Sequence, residues 1–275
     1  MPTFDTLEPI VVSLHLGVGD LRIMASDRDD TVVDVQPSDP AKPADVAAAE
    51  QTRVEYANGV LKITAPRTWR RYTSGRGVDS IDVHIAMPIG SQLRGEAGVA
   101  ALRSTGTLGE CRYKTGAGDI TVEHVAGAAE LTTGTGVVRI DRIGGSARVK
   151  NANGDTWIGE VIGDLHVQAA NGRIAVDQAQ AAVTAKTANG DIHLDEVARG
   201  VTVARTARGN VDVAVRGGVA VWLNLHTGFG RVDNRLGAGE PPKPAEDIVE
   251  VQARSAFGDI TIRRSDTGDS GYGAA

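Results

Sequence analysis

Cysteine is almost absent. The single thiol, Cys111, stands among 275 residues, which excludes an internal disulfide and any cysteine-rich metal site. Aromatic residues make up only 4%, so a core has to come from Val, Ile, Leu and Ala. An apolar content of 41% supplies it. No window approaches the run of about 18 apolar residues that spans a membrane as a helix. The start, Met1-Pro-Thr-Phe-Asp-Thr-Leu-Glu-Pro, lacks the basic and apolar stretches of a secretory leader, so a cytoplasmic location is expected. A formal charge of -6 gives no electrostatic reason to expect nucleic acid or an anionic membrane as partner.

Glycine, by contrast, is abundant at 34 residues, against an average share of about 7%, and its placement is periodic. One phrase recurs: Thr115-Gly-Ala-Gly-Asp-Ile-Thr-Val, Thr133-Gly-Thr-Gly-Val-Val-Arg-Ile, Asn151-Ala-Asn-Gly-Asp-Thr-Trp-Ile, Ala169-Ala-Asn-Gly-Arg-Ile-Ala-Val, Thr187-Ala-Asn-Gly-Asp-Ile-His-Leu and Thr206-Ala-Arg-Gly-Asn-Val-Asp-Val. The key glycines 118, 136, 154, 172, 190 and 209 are separated by 18, 18, 18, 18 and 19 residues. Such a period marks stacked copies of one small unit.

With the key glycine as zero, position +2 holds Ile120, Val138, Thr156, Ile174, Ile192 and Val211, and +4 holds Val122, Ile140, Ile158, Val176, Leu194 and Val213. The residues between them are mixed, which is the alternation of a strand with one buried face. A further apolar position falls at +7 (Val125, Ile143, Val161, Ala179). A second alternating run falls at +11 and +13 (Ala129/Leu131, Ala147/Val149, Leu165/Val167, Val183/Ala185). One repeat cannot bury two such rows alone, so each coil stacks in parallel on the next. The spacing does not follow the six-residue rule of a left-handed hexapeptide solenoid, and the general preference for right-handed parallel crossovers sets the expected hand. The expected fold is all-β: a right-handed parallel β-solenoid of about 18-residue coils behind a strand-rich N-terminal cap with one short helix.

Three divisions follow. Residues 1–94 form the cap, with strands around Ile10–Leu16, Gly17–Ile23 and Thr31–Val35, and a helix over Ala44–Thr52 with Pro43 suited to its first turn. Tyr56-Ala-Asn-Gly-Val-Leu-Lys-Ile reads as another copy of the phrase, Trp69–Gly77 as an irregular basic loop, and Ser80–Pro88 as a strand. Residues 95–264 form the solenoid. Gly98 marks its first, degenerate copy, a loop is inserted at Ala238–Asp247, and Ser255-Ala-Phe-Gly-Asp-Ile-Thr-Ile closes the array. Residues 265–275, small and polar, read as a disordered tail.

The repeated Thr-Ala-Asn-Gly-Asp-Ile-x-Leu-x-x-Val resembles bacterial families of unknown function that are built of β-strand repeats and carry the label of candidate adhesins. The likeness covers most of 95–263, and the N-terminal part is similar to actinobacterial members. The resemblance implies a β-repeat fold, brings no catalytic residues, and through its label implies export.

The chemistry-bearing patterns have structural readings. The Gly-x-Gly pairs at 116/118 and 134/136 precede strands, whereas a phosphate loop opens a helix. Asp119, Asp155, Asp191 and Asp259 follow glycines, but calcium-binding rolls need a nine-residue repeat; Arg173 interrupts the row and is expected to sit between two aspartates. His124, His166 and His193 share no register, so no metal site is expected. Cys111 reads as a buried, inert thiol. Position +5 (Glu123, Asp141, Gly159, Asp177, Asp195) makes an acidic row, and +14 (Thr132, Lys150, Gln168, Lys186) a basic one. Arg139, Trp157 and His193 share register +3, where Ala175 leaves a notch between Trp157 and His193, about 10 Å apart. Trp and Arg are favoured binding anchors, so these three are the candidate partner-binding residues. The functional expectation is a non-catalytic scaffold, monomeric or weakly self-associating, with a protein partner and no cofactor, nucleic acid or membrane. The alternative is a polysaccharide-binding or carbohydrate-active β-helix or an adhesin-like surface protein, for which carboxylates at +5 are available but aromatics are scarce.

Overall fold

The computed structural model describes residues 1–66, 79–236 and 248–265. The loops expected at Trp69–Gly77 and Ala238–Asp247 lie wholly or almost wholly outside them, as does the tail from 266. The chain divides into two compact units, Met1–Gly144 and Gly145–Ala275. Both are parallel β-solenoids with two strands per coil. The boundary expected after residue 94 falls inside one strand, Gln92–Leu108.

The coil corner explains the repeated phrase. Gly190 has φ +147°, and a Cβ there would lie 2.1 Å from the Gly172 carbonyl oxygen of the adjoining coil. Glycine is therefore required twice over, for its backbone conformation and for the close approach. The residue three places earlier completes the corner. Thr187, Thr206, Ser255 and Thr227 donate their hydroxyls to the carbonyls of Gly172, Gly190, Gly209 and Gly258 at 3.4, 3.0, 2.9 and 2.8 Å. Each bond satisfies a group the corner would otherwise leave unmet, worth about 1 kcal/mol. Inward rows at +2, +4, +7, +11 and +13 are buried, from Ile120 and Val122 to Val183 and Ala185, which bears out the core read from the periodicity.

In the first unit the coil Val11–Ser26 lies between two others. Its first half pairs in parallel with Val60–Thr64 on one side and with the start of Gln92–Leu108 on the other; its second half pairs with Ile81–Pro88 and the rest of Gln92–Leu108. Cys111–Ala117 and Ala129–Thr135 continue one face, Ile120–Val125 and Val138–Ile143 the other. The first copy of the array is set by Ala100 rather than Gly98. Gly19 pairs with Ala100, and Leu102 with Ile120. Alanine is accommodated because the backbone at Ala100 does not take the positive φ of the corner glycines. Gly98 instead stacks beneath Gly116 and Gly134, where a Cβ on either would lie 2.6 or 2.4 Å from the carbonyl below.

Antiparallel strands and a helix flank the outer coil of this unit. Arg53–Ala57 pairs with Val60–Thr64, Asp30–Pro37 with Ile81–Pro88, and Thr3–Asp5 with Asp30–Pro37. The Ala57-Asn-Gly-Val60 segment, expected to be a coil corner, is a two-residue hairpin, with Asn58 at φ 52° and Gly59 at φ 74°. Two consecutive positive φ values are what a type I′ hairpin requires, and Asn-Gly is its preferred pair. Helix Pro43–Gln51 begins with proline in its first turn. Its Asp45, 2% exposed, accepts the Ser80 backbone N–H at 3.0 Å and pairs with Lys42 at 3.0 Å. Burial alone would raise this carboxyl, but the Ser80 hydrogen bond and the Lys42 ammonium outweigh it and hold the pKa below the ordinary value.

In the second unit the strands Ala147–Asn153, Leu165–Asn171, Val183–Asn189 and Gly200–Arg208 stack in chain order, and Thr156–Val161, Ile174–Ala179, Ile192–Val197 and Val211–Val215 follow on the other face. The order then changes. Ile248–Phe257 and Ile260–Arg264 insert next to Gly200–Arg208 and Val211–Val215, and the earlier coil, Ala220–Phe229 with Val232–Asn234, lies outside them. The copy around Gly258 therefore does not close the array; the one around Gly230 does. Residue 265, expected to belong to the tail, is ordered: Ser265 is buried and donates its hydroxyl to Glu196 at 3.0 Å.

Candidate functional site

On the face formed by +3 and +5 in the second unit, parallel pairing brings Trp157, Ala175 and His193 into one row. Trp157 is half-buried rather than freely exposed. Its indole N–H reaches diagonally to the next coil and donates to Asp177 at 3.0 Å. His193 is three-quarters buried and lies between two carboxylates, Asp195 at 2.8 Å and Asp212 at 3.6 Å. Arg263 bridges the same two carboxylates at 2.8 and 3.2 Å. Arg139, in the first unit, pairs with Asp141 at 3.3 Å. Trp157 and His193 thus flank Ala175 as register dictates, each held by an acid of the +5 row or its neighbour. Asp141, Asp177 and Asp195 of the +5 row orient +3 side chains, a role that residue type alone did not reveal.

The aspartates after the glycines have a structural role. Asp155 accepts the backbone N–H of Arg173 at 2.8 Å, Asp191 that of Asn210 at 2.7 Å, and Asp259 that of Arg231 at 2.8 Å. The expected contact of the Arg173 side chain with two aspartates is replaced by its main-chain donor, because the coil corner leaves that N–H pointing along the stack. Before the glycines, Asn171 donates to Asn153 at 2.7 Å and Asn189 to Asn171 at 2.9 Å, the amide ladder that their register implies. Further along, the ladder position passes to Phe257 and Phe229, which stack with centroids 5.0 Å apart and planes 5° from parallel.

The corner phrase with its glycine, hydroxyl and aspartate or asparagine positions recurs in each unit, and a model of one family matches residues 10–217. The chain belongs to the Toastrack DUF4097 family. It is a family of unknown function, and nothing in it points to catalysis. No curated protein matches the chain. Among solved structures, a Parabacteroides merdae protein described as a candidate adhesin is 12% identical with a TM-score of 0.46, covering 94% of this chain and 95% of its own. A Bacteroides fragilis candidate adhesin is 15% identical with a TM-score of 0.41, covering 95% and 96%. A Parabacteroides distasonis protein described as a candidate lipid-binding protein is 11% identical with a TM-score of 0.39, covering 94% and 95%.

In this Toastrack chain Cys111 is buried and free, and burial pushes its thiol up to about 12, a reading the sequence anticipated. Among the described residues no group of three or more His, Cys, Asp or Glu is placed to hold a metal, and no helix is long and apolar enough to cross a membrane. The outermost coil of the second unit carries the feature that sequence reasoning missed. Trp222, Phe229 and Val232 are 66%, 71% and 46% exposed, while the residues that should face a core, Val221, Leu223 and Leu225, are only partly covered. Trp222, Leu223, Asn224, Ile248 and Glu250 line a shallow groove there. The signal lay in the sequence as two aromatics within one coil, but its meaning depends on that coil being outermost.

Proposed function

We propose that this chain is a non-catalytic interaction scaffold that receives an extended strand of a protein partner along Ala220–Phe229. The observation that carries the reading is this strand itself. It pairs with Ile248–Phe257 on one side and has no second strand partner among the described residues, while Trp222 and Phe229 stand exposed along it. An edge strand offers backbone donors and acceptors to an incoming strand, and exposed aromatics supply anchors for its side chains. A second reading, in which the partner sits on the Trp157–His193 face, is favoured by the ordering of those two side chains through Asp177 and Asp195.

Pull-downs with immobilised full chain separate the two. A Trp222→Asp, Phe229→Asp double variant stays folded, losing about 1 kcal/mol with the Phe229–Phe257 ring stack, and loses the principal bound protein; Trp157→Ala retains it. The reverse pattern would move the partner to the Trp157 face. Retention of every partner by both variants at wild-type yield would sink both.

A further inference from the structure

The opposite face of the second unit, at register +14, carries a single file of basic residues. Parallel pairing aligns Lys150 with Gln168, Gln168 with Lys186, Lys186 with Arg205, Arg205 with Arg254 and Arg254 with His226. At about 4.8 Å per coil the file runs ~24 Å. Lys150, Arg205 and Arg254 are exposed and Lys186 is half-exposed. None of these four has an ion-pair or side-chain hydrogen-bond partner among the described residues. The +3/+5 face of the same unit is the contrast, because there Arg263 and His193 both meet carboxylates. Like charges directly opposite on neighbouring strands destabilise a sheet. This chain has more acids than bases, 35 against 29, and still sets no acid into the file. Three consecutive coils, at Lys186, Arg205 and Arg254, present cation against cation.

We propose that this file binds a linear acidic polysaccharide of the polyuronate class, lying along the stack with one sugar carboxylate per coil. Three features choose that occupant. The cations form a line one residue wide, which matches a chain; a planar anionic membrane is matched by a broad patch. The columns on either side are Arg148, His166, Thr184, Val203, Gln252 and Asn224, and then Ala152, Ala170, Ala188, Ala207, Ala256 and Gly228. Neither column holds Phe, Tyr or Trp on which nucleobases would stack, the feature that single-strand nucleic-acid sites use. A sugar ring in an extended polymer advances by a distance close to the coil spacing, so carboxylates meet successive guanidinium and ammonium groups, and Arg205 and Arg254 suit bidentate contact with them. The four cations Lys150, Lys186, Arg205 and Arg254 lie on inner strands, and only the last position of the file, His226, is on the edge strand.

His166 provides an internal reporter. It stands opposite Arg148 and Thr184, with Lys150 and Lys186 on the flanking residues. Partial burial first, then Arg148, Lys186 and Lys150, hold its pKa below the ordinary value. A polyanion that neutralises those cations raises it.

The test titrates the full chain with end-labelled oligogalacturonate at low salt, beside neutral dextran, single-stranded DNA and vesicles containing anionic phospholipid. Oligogalacturonate is expected to bind, with affinity falling steeply as salt rises, and dextran not to bind. The His166 ring resonances are expected to titrate at higher pH in the complex. Lys186→Glu, Arg205→Glu, Arg254→Glu together are expected to weaken binding about a hundredfold, while Lys62→Glu, far along the sequence on the first-unit hairpin, leaves it unchanged. All variants are first shown to melt like wild type. No binding, an unmoved His166 pKa, full binding by the triple variant, or tighter binding of DNA or vesicles would each overturn the proposal.

Discussion

The outer coil of the first unit and the outer coil of the second are built from similar alternating strands and meet different fates. In the first, Leu61, Ile63, Val83 and Ile85 are 0–2% exposed, because hairpin strand Arg53–Ala57, strand Asp30–Pro37 and helix Pro43–Gln51 are placed against the coil. In the second, Leu223 and Leu225 stay partly open and Val232 is 46% exposed, with pairing on one side only among the described residues. The inward row of a coil thus becomes core only when something is laid on both of its sides. At both ends chain order and stacking order part company. The first coil in sequence, Val11–Ser26, and the last, Ile248–Arg264, are both internal, each with a coil on either side.

The sharpest way to break this comparison is to place a charge in equivalent inward positions. Leu61→Asp, at a fully buried site, is expected to destabilise the first unit by about 4 kcal/mol or more, whereas Leu225→Asp costs about 1 kcal/mol because its carboxylate reaches water. Urea denaturation measures both, and equal losses would show that the second outer coil is covered as well as the first. Corner glycines give the next largest effect. A Cβ at Gly19 would lie 1.6 Å from the Ile81 carbonyl oxygen and one at Gly230 2.1 Å from that of Gly258. Gly19→Ala is expected to cost about 3 kcal/mol and Gly230→Ala about half that, because an edge coil can shift outward. Melting curves decide, and a larger loss for Gly230→Ala would contradict the idea that the outer edge yields.

Acid should act on the capped end selectively. The Asp45 pKa is depressed in the folded chain, so its contribution is present above the unfolded carboxylate value of about 3.9 and is lost as pH falls from there through the lower folded value. The protection of the Ser80 amide, taken relative to its intrinsic exchange rate at each pH, is expected to fall over that acid window and to stay constant between pH 5 and 7. Asp45→Asn should remove the pH dependence. The smallest effect expected is none: millimolar calcium leaves the melting temperature unchanged, since the Asp155, Asp191 and Asp259 carboxylates already accept backbone N–H groups of adjoining coils. A clear rise would show that they bind the ion, because a ligand of the folded state must stabilise it.

The candidate surfaces were legible only in part. Register alone put Trp157, Ala175 and His193 in one row and lined up Lys150, Gln168 and Lys186, since an 18-residue period converts directly into columns. Register could not say that the Trp157 indole is tied to Asp177 or that Arg263 joins Asp195 to Asp212; Arg263 comes from a coil 68 residues away in sequence from Asp195. Nor could it extend the basic file to Arg254, which joins only because Ile248–Phe257 is inserted out of chain order.

The sequence by itself determined the coil: its length, its glycine corner, its inward rows and the hydroxyl three residues before the glycine. All of these follow from local spacing and from the steric demand of a carbonyl about 2 Å from where a Cβ would stand. Tertiary structure decided what each copy became. Ala57-Asn-Gly-Val60 and Ala188-Asn-Gly-Asp191 are nearly the same words, yet Gly59 turns a hairpin at φ 74° with nothing within 4 Å of a Cβ, while Gly190 turns a coil at φ 147° against Gly172. Asn-Gly suits both conformations at little cost, so the choice falls to the neighbour: an antiparallel return strand in one place, and a coil already in position, with Asn171 ready to accept the amide of Asn189, in the other.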